Sequence, residues 1–133
     1  MIASTQQLFA ARPESVREAR EFVAKALDNW GLIARAEDIR LCLSELATNA
    51  VVHGTDPGQG FLVRLRSDDD VVRLEVQDSR RRRPTVRAPS ADEPSGRGLT
   101  LVVALSDGWG VEDRTPAGKV VWSCFKGAGG KPR

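Results

Sequence analysis

Three polar residues at helical spacing carry the most specific chemical signal in this chain of 133 residues. Glu45, Asn49 and His53 stand at i, i+4 and i+8 in the run Ser44-Glu45-Leu46-Ala47-Thr48-Asn49-Ala50-Val51-Val52-His53-Gly54. On an α-helix such a series drifts by only about 40° per step, so the three share a face. That face lies beside an apolar stripe of Ile39, Leu43, Leu46 and Ala50, at the edge of a core. A carboxylate and an amide there must find partners, because burying them alone is unfavourable. The carbonyl oxygen of Asn49 suits Mg²⁺, which takes one or two protein ligands and keeps several waters. Glu45, one turn earlier, can orient a nucleophile or accept its proton. The same spacing also describes the solvated stripe of an ordinary amphipathic helix.

Two shorter signals lie downstream. Gly96-Arg97-Gly98 precedes the apolar run that starts at Leu99. Glycines let a backbone approach a phosphate, and the amides at a helix start bind anions. A lone Gly-x-Gly also describes a plain turn. Asp78 follows the strand-like run Val72 to Val76; it could accept a hydrogen bond from an exocyclic amine or serve only the turn. Arg80 to Arg83, with Arg87 and Arg97, make a basic lid. Its arginines could pair with nucleotide phosphates, dock an acidic partner, contact nucleic acid or simply face water. No aromatic residue interleaves with them, so a stacking platform for single strands is missing. A net charge of only +2 gives no independent call for nucleic acid.

The elements that must position these residues follow from periodicity. Residues 4–10 read as an edge strand. Pro13 opens a helix in which Val16, Ala19, Phe22, Val23, Ala26, Leu27 and Trp30 recur at helical spacing before Gly31. A second helix runs from Ala36 to Val52, with Glu37 and Asp38 at the positive end of its dipole, and His53 to Gly60 forms a loop. Phe61, Val63 and Leu65 alternate with Leu62, Arg64 and Arg66, and Val72, Leu74 and Val76 with Arg73, Glu75 and Gln77. Joined by Asp68-Asp69-Asp70, these runs predict a hairpin. Residues 79–95 have no apolar period and contain Pro84, Pro89 and Pro94; so long a loop is usually functional. A short helix, Leu99 to Leu105, and strands at 108–113 and 119–125 follow, around the turn Thr115-Pro116-Ala117-Gly118. The order β-α-α-β-β-loop-α-β-β predicts an α+β, two-layer sandwich: a mainly antiparallel mixed sheet with helices on one face.

Bulk properties narrow the class. Hydrophobic residues make up 41% of the chain, enough for one core. No apolar run approaches the roughly 18–20 residues of a membrane span, and the start lacks a signal-peptide pattern, so a soluble cytoplasmic protein with no membrane partner is expected. Cys42 and Cys124 read as reduced core thiols, and with one histidine they leave no four-ligand zinc site. Residues 1–126 are expected to form one domain and 127–133 a disordered tail.

Taken together, the three chemical segments resemble the GHKL (Bergerat-fold) ATPases, a superfamily that includes the histidine kinases. Glu45-Leu-x-x-Asn49-Ala-x-x-His53-Gly54 looks like their N box. Asp78 falls where the first glycine box begins, and Ser95-Gly96-Arg97-Gly98-Leu99 resembles the second. The short length and the ending Gly118-Lys119-Val120-Val121-Trp122 are similar to one branch, the bacterial anti-sigma factor serine-protein kinases. The resemblance covers residues 5–125 and implies an ATP site. There Asn49 would ligate Mg²⁺, Glu45 would be the general base toward a protein serine, and Asp78 would bind the adenine amino group. Gly96, Arg97, Gly98, Leu99 and Thr100 would close on the phosphates, and His53 would close the helix end. It implies two partners, a sigma factor and an anti-anti-sigma protein of the STAS type, and a homodimer. One departure opens an alternative. The family's Asp-x-Gly-x-Gly is here Asp78-Ser79-Arg80-Arg81-Arg82, and arginine disfavours torsions that glycine permits. A protein-binding regulator with the same fold and weakened or lost ATP turnover would also fit.

Overall fold

The computed structural model describes residues 2–55, 58–80, 98–115 and 117–128. In chain order they form β1 (Ile2–Ala10), α1 (Pro13–Asn29), α2 (Ala36–Asn49), a π-helical turn (Ala50–Gly54), β2 (Gly60–Asp68) and β3 (Val71–Asp78). Further along the chain come α3 (Gly98–Leu105), β4 (Gly108–Asp113) and β5 (Lys119–Lys126). The sheet order is β1-β2-β3-β5-β4. Every pairing is antiparallel, so among the described residues the expected mixed sheet has no parallel pair. The fold is the two-layer α+β sandwich that the element order implied. None of the described helices is long and apolar enough to cross a membrane.

Local chemistry explains the elements. Pro13 occupies the first turn of α1 after an extended Arg12, where its missing N–H is no loss. The helix closes at Trp30, and Gly31, at φ 70°, turns the chain so that the Leu32 N–H reaches Leu27 O at 2.9 Å. In α2 the residues Ile39, Cys42, Leu43, Leu46 and Ala47 are buried and point at the sheet. Strand alternation does the rest. Val63, Leu65, Val72, Leu74, Val76, Val121 and Phe125 face the helices and are buried. The register pairs Val63 with Val76 and Leu65 with Leu74. The opposite face carries Arg64, Arg66, Arg73, Glu75, Gln77 and Trp122. There the Arg73 guanidinium lies over the Trp122 ring at 4.5 Å and donates to Glu75 at 2.8 Å.

Three details differ from the sequence expectation. The edge strand begins at Ile2, two residues early, and pairs along β2 through to Ala10. The second helix stops being α-helical at Asn49 and continues as the π turn, where a loop was expected from His53. Thr55 Oγ1 closes that turn by donating to Ala50 O. Gly127 and Ala128, assigned to the tail, belong to the fold: Ala128 is buried and its N–H donates to Asp70 O at 3.1 Å.

One side chain clasps the far end of the sandwich. Arg35, just before α2, donates from Nε to Asp38 at 3.0 Å and from Nη1 to Asp107 Oδ2 and Lys126 O, both at 2.9 Å. Its Nη2 donates to Leu105 O at 2.6 Å, and the guanidinium lies 5.4 Å from the centre of the Phe125 ring. It thereby ties the start of α2 to the end of α3 and the end of β5. The Lys126 N–H, with Arg35, holds the Asp107 carboxyl below the ordinary carboxylate value.

Candidate functional site

The candidate site is assembled from α2, β3 and α3, which are neighbours in the fold. The π turn at the end of α2 packs on β3, the strand that ends in Asp78, and α3 packs along α2. Glu45 and Asn49 are both half-buried, one turn apart on α2. This is the core-edge position inferred from spacing. Among the described residues no side chain hydrogen-bonds the Asn49 amide. His53 behaves differently. The wider π turn changes the helical phase after Asn49, and His53 is exposed. The three residues therefore do not share one environment, and the i+8 member of the series falls outside the half-buried pair.

Of the second glycine segment, Gly96 and Arg97 lie outside the described residues, as does the lid from Arg81 onward. Gly98 is the first residue of α3. Leu99 is buried in the core and Thr100 is half-buried. Leu99 thus anchors the helix start, and only its backbone could meet a ligand.

Asp78 is the largest surprise of the site. It is 3% exposed, and the side chain is locked at the head of the sheet. Lys119, its register partner on β5, places Nζ 2.9 Å from both carboxylate oxygens. The ammonium also donates to Arg80 O at 2.9 Å, and the Arg80 N–H donates to Asp78 Oδ1 at 3.2 Å. Burial pushes the Asp78 carboxyl above its ordinary value, with the Lys119 contact pulling the other way. Gly118 makes this approach possible. It sits at φ 92°, and a Cβ there would lie 2.1 Å from Asp78 O. The sequence contained a signal for the pair that motif reading passed over. Val72, Leu74, Val76 and Asp78 are in one strand phase, and Lys119, Val121, Ser123 and Phe125 in another. Each phase places a charge among core-facing residues, and such charges are seldom buried unless paired.

Comparison with known proteins agrees with this frame. A family model described as the histidine kinase-like ATPase domain matches residues 9–125, from the end of β1 into β5. The chain belongs to that family. It is also 29% identical, over 125 aligned positions covering 86% of each chain, to a protein of Geobacillus thermodenitrificans (strain NG80-2) named anti-sigma F factor. The family match spans α2, β3 and α3 together, the same three elements that bring the candidate residues into one region. Among the described residues no group of three or more His, Cys, Asp or Glu could hold a metal ion. A Mg²⁺ carried in on nucleotide phosphates needs no such group, since one amide oxygen and waters suffice.

Proposed function

We propose that this chain is an anti-sigma factor that binds ATP with Mg²⁺ and works as a serine-protein kinase. It would hold a sigma factor in one nucleotide state and phosphorylate a STAS-type anti-anti-sigma partner in another. The observation that carries the reading is the half-buried Glu45–Asn49 pair on α2, within a histidine kinase-like ATPase domain similar to an anti-sigma F factor. Asn49 would hold the cation through its amide oxygen. Glu45 would accept the proton of the partner's serine hydroxyl as that oxygen attacks. The amides at the start of α3, from Gly98 to Thr100, would bind phosphate oxygens. Bound MgATP supplies the transferable γ-phosphoryl group and neutralises its charge; the protein supplies position. A homodimer and a cytoplasmic location belong to the same proposal.

Calorimetry with MgATP tests it. Wild type should bind in a Mg²⁺-dependent manner, and Asn49→Ala should lose at least about tenfold in affinity. With labelled ATP and a STAS-type partner, Glu45→Gln should bind normally yet transfer at least about a hundredfold more slowly, the usual worth of a positioned base. Absence of MgATP binding in the wild type would overturn the proposal. The second reading, a non-catalytic regulator, is favoured by the Lys119–Asp78 pair. Binding without transfer, unchanged by Glu45→Gln, would establish it.

A further inference from the structure

The nucleobase end of the site carries a feature that its motif does not account for. A carboxylate that reads an exocyclic amine works by being an unpaired acceptor until the right base arrives. The wrong base is then rejected because it leaves that acceptor buried and unsatisfied. In this chain Asp78 is already paired. Lys119 contacts both of its oxygens, and the Arg80 N–H takes a further lone pair of Oδ1. The Lys119 ammonium donates to Asp78 Oδ1 and to Arg80 O and lies equally close to Asp78 Oδ2, so its charge is shared by the whole carboxylate. Both side chains of the pair are 4% exposed. A residue at this position without a charge, such as threonine or methionine, would leave the carboxylate free. Lysine neutralises it and ties it to the backbone of Arg80, where the arginine run begins.

We infer that Lys119 is a specificity-determining residue that holds Asp78 in a closed ion pair, so that this site binds adenine weakly and scarcely distinguishes it from guanine. The inference rests on the proposed ATP site. Adenine offers an amino donor at the position where guanine offers a keto acceptor. A free carboxylate accepts from the first and repels the second. A carboxylate whose charge is compensated and whose oxygens are occupied does neither. The wrong base then leaves no orphaned group behind, and the discrimination is lost. Opening the pair to reach adenine would strand a buried ammonium, which is itself unfavourable.

The test is calorimetric titration of the full chain with MgATP and, separately, MgGTP. In wild type the two dissociation constants should agree within about threefold. Lys119→Met and Lys119→Thr should each bind MgATP at least about tenfold more tightly than wild type and prefer it over MgGTP by a similar factor. Because removing Lys119 leaves Asp78 buried alone, folding of each variant is checked by near-ultraviolet circular dichroism. The wild-type ATP-to-GTP ratio tests the inference even where a variant fails to fold. A wild-type preference for MgATP above about tenfold would overturn the inference while leaving the ATP site standing. So would folded Lys119 variants that bind MgATP no more tightly than wild type. No binding of either nucleotide by wild type and folded variants alike would remove the ATP site and the inference with it.

Discussion

Replacing Arg35 by alanine should destabilise the fold by about 3 kcal/mol. Its head group makes two hydrogen bonds to main-chain carbonyls, Leu105 O and Lys126 O, at 2.6 and 2.9 Å. Hydrogen bonds from a charged donor are worth about 1.5–3 kcal/mol, and these belong at the lower end because the side chain is 23% exposed. The pairs with Asp38 and Asp107 are more open, both carboxylates being 37% exposed, and add about 0.5 kcal/mol each. The contact with the Phe125 ring adds about as much again. One guanidinium makes all of these contacts, so they are not additive, and about 3 kcal/mol is the net expectation. At a urea m-value of about 1.5 kcal/mol/M the midpoint should fall by about 2 M. Arg35→Lys should recover less than half of the loss, because an ammonium cannot present the planar fork. The effect has a pH signature. The Asp107 carboxyl is held below its ordinary value in the folded chain. Its contribution is therefore present above the unfolded value of about 3.9 and is lost as pH falls through the folded value. The gap between wild type and Arg35→Ala should be full at pH 7 and narrow only by the Asp107 share, about 0.5 kcal/mol, as pH falls below about 4. Urea titrations at pH 7 and pH 3 decide the matter. A loss under about 1 kcal/mol at pH 7 would refute the clasp as the source.

Two further outcomes follow from positions whose geometry leaves little room. Gly118→Ala combines a left-handed backbone at φ 92° with a Cβ 2.1 Å from Asp78 O, so it should lower the melting temperature by about 10 °C or more. Gly31→Ala, at φ 70° with nothing within 4 Å, carries only the torsional penalty and should fall by less than half as much; equal losses would show that the approach to Asp78 is not tight. The Cys42 thiol is buried and pushed up to about 12, chiefly by burial. At pH 8 only about one part in ten thousand of it is thiolate, so a thiol reagent should label half-buried Cys124 first and reach Cys42 only on unfolding. Two equally fast thiols in the native protein would contradict the placement of Cys42.

The sequence by itself determined the elements and the layer architecture. Alternation in 61–65 and 72–76 could bury only one face, and the stripe Ile39-Leu43-Leu46 could meet that face only from one side. The half-buried setting of Glu45 and Asn49 followed from the same phase argument, since four residues nearly complete an α-helical turn. The argument failed at His53 because a π turn closes over five residues, and single-chain periodicity carries no sign of that change. Tertiary structure alone decided the two polar junctions. Arg35 meets Leu105, Asp107 and Lys126 across about seventy to ninety residues of chain, a contact with no local signature. Lys119 meets Asp78 through the β3–β5 register. Strand phase could show that each charge points inward. Only the pairing of the strands could show that each is the other's partner, because β3 and β5 are not consecutive in the chain and their register is set by tertiary packing rather than by a connecting turn. That register turns a residue expected to read a nucleobase into half of a buried ion pair.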